Sequence, residues 1–213
     1  MRERVRRVFG LFAFVFIFWG CYRLIFKLPE NFEELVLKPI FWLGPTFWLT
    51  LKVEKETLSS LGITTKNLFK SLYLGLGLGA AFLLIALIGN FLKFQSFDFA
   101  SFGLSPSAFL ISFGLSLATA VSEEIVFRGY LFSRLRKILK NQEANLLTGL
   151  LFVLIHLPIS IFQYHYSLVE LVFYASLVLI FSLGSGFLLL KTENLASSIL
   201  AHVLWSWSIA LFR

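Results

Sequence analysis

The chain is short of charge. Only 15% of its 213 residues are Asp, Glu, Lys or Arg, whereas a water-soluble domain carries about 25%, so it has too little polar surface to face water on every side. Hydrophobic residues make up 58%, including 26 Phe, and the mean hydropathy is +0.82; lipid must replace water as the solvent for most side chains. Cysteine is nearly absent. Cys21 stands alone, which excludes an internal disulfide. It lies in the first apolar run, after the bulky Phe18-Trp19-Gly20 rather than the small residues that precede a lipoprotein cysteine, so it is expected to pack inside a helix bundle. Internal repeats, low-complexity tracts and linkers are also missing, and the length suits one integral membrane domain over 1–213.

What is present is a series of apolar runs, at 8–26, 36–51, 70–92, 107–127, 144–162, 167–190 and 195–212, most of them near the roughly 20 residues that cross a hydrocarbon core. The second is short and holds Gly44-Pro45, so by length alone it allows an interfacial or re-entrant segment. The formal charge of +7 sits in short clusters between the runs, which reads as membrane topology rather than a nucleic-acid surface. Arg128–Glu143 carries Arg128, Arg134, Arg136, Lys137 and Lys140 and is expected on the cytoplasmic side. Counting back through seven spans puts the arginine-rich Met1–Arg7 there too; omitting the second run strands those arginines outside. No small-x-small cleavage pattern follows the basic start, so the first run reads as an uncleaved span. The expected architecture is all-α: a polytopic transmembrane bundle of about seven spans (six to eight), N-terminus cytoplasmic, in the cell membrane of a prokaryote.

Local signals add detail. Ser105-Pro106 opens the fourth span, Ser placed to cap and Pro in the first turn, where its missing N–H costs nothing. Beyond Arg128, apolar Tyr130, Leu131, Phe132, Leu135, Ile138 and Leu139 interleave with Arg and Lys, a pattern that predicts an interfacial helix. Gly75, Gly77 and Gly79, and Gly184-Ser185-Gly186, are expected to allow close helix packing.

Ionisable groups inside such runs are the informative residues, because each costs several kcal/mol unless it meets a partner or a wet cavity. Glu124 and Arg128 lie four apart on one helix face, in the favourable order. Glu123 points about 100° away, along a polar stripe of Ser112, Ser116 and Thr119 that turns away from lipid. Measured from the nearest cytoplasmic polar boundary, Glu123 and His156 lie about 16 Å deep and His202 about 13 Å. One polar chamber, reached from the cytoplasm, accounts for all three. His165, in the 163–167 loop, is expected to be solvated.

Glu123-Glu124-Ile125-Val126-Phe127-Arg128 resembles the EExxxR signature of the CAAX-processing and bacteriocin-processing membrane proteases, the type II prenyl endopeptidase-like family. Phe152 to His156 is similar to that family's FxxxH, and His202 to Ser206 resembles its HxxxN or HxxxD with Ser in the last place. The three come in family order across 105–207, which the resemblance marks as a catalytic core. It implies an intramembrane glutamic-type endopeptidase, with Glu123 as general base, His156 as its partner in activating water and His202 near the oxyanion. Glu124, Arg128 and Phe152 are then supporting residues, and Ser206 stands where a longer amide or carboxylate is usual.

Hydrolysis of a peptide bond needs a nucleophilic water, a proton carrier and donors to the oxyanion, and Glu, His and His supply all three. The expected partners are a membrane-associated peptide or protein, entering from the cytoplasm or laterally, and the bilayer itself, with no nucleic acid and no cofactor. Three alternatives remain open at this level. The same residues form a plausible zinc set, although no HExxH pair fixes two ligands on one helix. A catalytically silent binding, immunity or assembly factor is allowed by Ser206. A small transporter with a Glu/His proton relay is the third.

Overall fold

Backbone amides in hydrocarbon have no water to bond, so a chain this apolar satisfies them within helices. The computed structural model describes residues 1–26, 28–96 and 105–211, and among these there is no strand. Seven helical rods follow one another: α1 Arg2–Ile25, α2 over 30–53, α3 Leu68–Phe94, α4 Pro106–Leu135, α5 Asn141–Phe162, α6 Leu168–Thr192 and α7 Ala196–Leu211. They correspond to the seven apolar runs, and the last residue of the 195–212 run lies outside the described residues. By length and composition, α1, α3, α4, α5 and α6 are able to cross a membrane. The 16 residues of α7 are about 24 Å long. α2 is broken by wide π-type turns at Glu33–Leu37, Pro39–Leu43 and Trp48–Val53.

The start of α4 follows its sequence signal: Ser105 Oγ accepts from the Ala108 N–H at 3.2 Å, with Pro106 in the first turn. Its end does not. The stretch after Arg128 forms no separate interfacial helix; it continues α4 through wide turns over Ile125–Phe132 and on to Leu135. Tyr130, Leu131, Phe132 and Leu135 are all buried in protein. The physical reason is that Arg134 has no need of the interface: its guanidinium bonds Glu54 Oε2 at 2.8 Å and the Ser60 carbonyl at 2.9 Å.

Small residues set the helix spacing. A Cβ on Gly75 would stand 2.6 Å from the Ser197 carbonyl oxygen, and one on Gly79 would stand 2.6 Å from Leu204, so α3 lies directly on α7. Gly77 meets nothing within 4 Å; alternate glycines on a helix cannot share a face. Cys21 departs from expectation, being exposed on the outside of α1 rather than packed.

Candidate active site

Adjacent residues on a helix diverge by about 100°, and the two glutamates near the middle of α4 accordingly enter different surroundings. Glu124 is fully buried. Its Oε1 is 2.8 Å from His202 Nδ1 and 3.2 Å from Arg128 Nη1, and its Oε2 accepts from Ser185 Oγ at 2.8 Å. The Arg128 guanidinium stacks over the Phe152 ring at 4.3 Å. Glu124 thereby ties α4 to α6 and α7 while neutralising a buried arginine. Ser185, flanked by the two small glycines, lets α6 come near enough to donate.

Glu123 faces the other way, and its two oxygens have separate environments. Oε1 accepts from Lys38 Nζ at 2.8 Å. Oε2 is buried without a hydrogen-bond partner among the described residues, and it stands 3.8 Å from both His156 Nε2 and His202 Nε2. That distance is too long for direct hydrogen bonds. His156 is held by its other nitrogen, Nδ1, 2.7 Å from the Phe152 carbonyl oxygen one turn back. A carbonyl only accepts, so this nitrogen carries the hydrogen, and in the neutral ring Nε2 presents a lone pair. Edge-on aromatic contacts of Phe152 with both imidazoles fix the ring planes.

α4, α5 and α7 thus bring Glu123, His156 and His202 together, as the depth comparison predicts. They lie at the inner end of a cavity of about 470 Å³. The polar stripe lines it in full: Ser112, Ser116 and Thr119 all face the cavity. Its direction corrects the sequence expectation. The wall runs from Glu123 back toward the start of α4, and from His156 and His202 on toward Ile159, Tyr164 and Ala210. All of these lead to the end of the bundle opposite the basic Arg128–Glu143 segment. On the basic side, Phe127, Tyr130, Leu131 and Phe132 are fully buried and close the floor. The chamber therefore does not open where the positive charges cluster, because the buried continuation of α4 fills that route.

Ser206 lines the cavity, but its hydroxyl donates to the His202 and Val203 carbonyls of its own helix, at 3.0 and 3.3 Å, rather than toward the imidazole. His165 is exposed, in the 163–167 loop, as expected of a solvated residue.

Sequence reasoning missed Lys38 and Glu34. Lys38 Nζ bridges Glu123 Oε1 at 2.8 Å and Glu34 Oε2 at 2.7 Å, and Thr119 Oγ1 donates to Glu34 Oε2 at 2.7 Å. The signal was available, since Lys38 is an ionisable residue inside the second apolar run. The doubtful status of that run hid it, and α2 starts six residues earlier than the run, bringing Glu34 onto the same helix face four residues from Lys38.

Residues 105–208 match the family model described as "Type II CAAX prenyl endopeptidase Rce1-like". No curated protein and no solved structure matches the chain. The matched segment spans α4 to α7 and carries all three motifs in the arrangement just described, whereas α1 to α3, Glu34 and Lys38 lie outside it. With five helices among the described residues able to cross a membrane, the chain is an integral membrane protein, and its segment 105–208 is similar to the Rce1-like type II CAAX prenyl endopeptidases.

Proposed function

We propose that the protein is an intramembrane glutamic-type endopeptidase in which Glu123 and His156 activate a water against a peptide bond of a membrane-associated protein or peptide. The observation that carries this reading is the buried, unpartnered Glu123 Oε2 facing two imidazole Nε2 atoms at 3.8 Å. A carboxylate oxygen and a neutral imidazole nitrogen are both acceptors, so the group that fits between them must donate twice. Water does so, at about 2.8 Å from each. In the attack, Glu123 takes one proton as the water oxygen bonds the carbonyl carbon, and the proton passes to the leaving amine as the C–N bond breaks.

His202 serves the oxyanion. Its Nδ1 donates to the Glu124 carboxylate, which holds the ring with Nε2 turned toward Glu123 and the cavity. Arg128 and Phe152 hold Glu124 and the two rings in place. The chain is read as one membrane domain over 1–213 with a catalytic core at 105–207. With seven spans, a cytoplasmic N-terminus and a prokaryotic cell membrane, the cavity mouth faces away from the cytoplasm, and substrate enters from that side or from within the bilayer.

The test is cleavage of a panel of membrane peptides by protein purified in detergent, with Glu123→Ala, His156→Ala and His202→Ala alongside. Cleavage that each substitution reduces by at least about 100-fold and that survives a strong chelator supports the glutamic mechanism. Loss on chelation instead selects the zinc-dependent reading of the same residues, against which the Lys38 ammonium on Glu123 counts. Wild-type protein that cleaves nothing favours the silent binding, immunity or assembly factor, whose specific support is that Ser206 spends its hydroxyl hydrogen on the backbone of its own helix.

A further inference from the structure

We infer that Lys38, braced by Glu34, is a positioning residue for the general base, and this rests on the hydrolase reading above. The inference starts from the unequal treatment of the two Glu123 oxygens. A carboxylate free to rotate presents either oxygen to a water; here Lys38 Nζ holds Oε1 at 2.8 Å and leaves Oε2 as the atom aimed at both imidazoles. Lys38 comes from α2, outside the segment that matches the family model, so no motif residue performs this task.

A lysine paired with a single carboxylate would hold a base too firmly to let it take a proton. Glu34 changes that balance. Its Oε2 is 2.7 Å from the same ammonium and is itself fixed by Thr119 Oγ1 from α4. When Glu123 accepts the proton from water, the ammonium remains paired with Glu34, so no buried cation is left without a counterion. As the proton moves on to the leaving amine, Glu123 regains its charge and its share of Lys38. The Trp19 and Trp42 rings, 5.6 and 5.3 Å from Nζ, flank the ammonium and keep it on the line between the two carboxylates. Lys38 thereby orients the base and evens out its change of charge without touching substrate.

The experiment measures kcat and KM separately on a membrane peptide that the wild-type, full-length protein cleaves in detergent. Lys38→Met is expected to lower kcat by about 100-fold with KM within about twofold, on the scale of removing one fixed electrostatic group. Lys38→Arg is expected to recover at least about tenfold of that loss, because it restores charge at the same site. Lys38→Ala is expected to regain activity on addition of methylammonium, which the cavity is large enough to admit. A purely structural lysine would show neither recovery. Should Lys38→Met fail to fold, Glu34→Gln decides: a lower kcat at unchanged KM supports the inference, and wild-type kcat overturns it. Glu123-dependent cleavage that Lys38→Met leaves intact, or a loss that neither arginine nor methylammonium relieves, overturns the inference alone. Cleavage by the Glu123→Ala variant, or none by wild type, overturns the hydrolase reading together with it.

Discussion

Two neighbouring glutamates of the same motif are expected to fail in opposite ways. Glu124→Gln keeps the shape of the side chain and an oxygen to accept from Ser185, so the loss is chiefly one of charge. That charge is the counterion of Arg128, which is 1% exposed and 3.2 Å away, with no other carboxylate within ion-pair distance of it among the described residues. Removing one partner of such a pair costs about 3–5 kcal/mol, against about 1 kcal/mol for each neutral hydrogen bond weakened, so the stranded arginine dominates. For a chain of this length each kcal/mol moves the melting temperature by about 2–4 °C, and the variant should melt about 10 °C below wild type. Glu123→Gln leaves Lys38 paired to Glu34 and strands no cation. It should melt within about 3 °C of wild type while losing cleavage. The assay is thermal unfolding in one detergent, followed by intrinsic tryptophan fluorescence, with peptide cleavage measured on the same preparations. Equal melting temperatures for the two variants, or a larger fall for Glu123→Gln, would refute the assignment of structural and chemical roles to Glu124 and Glu123.

Two further outcomes concern packing and pH. Gly79→Leu should push α3 off α7, because even a Cβ there would stand 2.6 Å from Leu204, displacing the helix that carries His202; Gly77→Leu, with nothing within 4 Å of its Cβ, should leave both melting temperature and cleavage near wild type. Outside the spans, the Lys137 ammonium bonds Glu56 at 3.2 Å and, with its charge, lowers the Glu56 carboxyl below its ordinary 4.5. A depressed carboxyl contributes stability that is complete above its unfolded value and lost as pH falls through its folded one. The small deficit of Glu56→Gln in melting temperature should therefore be constant from pH 7 to 6 and vanish well below pH 4.5; a deficit that persists in acid would show that the pair is not its source.

The opening of the cavity away from the basic segment bears on how substrate reaches the site. Positive charge reports which side a loop occupies, and it is natural to place a hydrolytic chamber near the nearest polar boundary. Depth counted along each helix locates Glu123, His156 and His202 at a common level but carries no direction. The floor is decided by side chains that fill space: Phe127, Tyr130 and Phe132, on the basic side of the glutamates along α4, are fully buried, and the helix continues as a buried rod because Arg134 finds Glu54.

The amino-acid sequence alone determined the solvent, the secondary structure and the reacting groups of this protein. Scarcity of charge demands lipid, lipid demands helices, and the few ionisable residues within apolar runs stand out because each must have a partner. Helical periodicity sufficed to separate Glu124, turned toward Arg128, from Glu123, turned along the Ser112–Thr119 stripe. The tertiary structure alone decided which residues from distant parts of the chain complete the site. Lys38 is 85 positions from Glu123, and His202 is 78 from Glu124. Such pairings depend on how rods pack, through Gly75 and Gly79 against α7 and Ser185 against Glu124, and no local periodicity records which face of one helix meets which face of another.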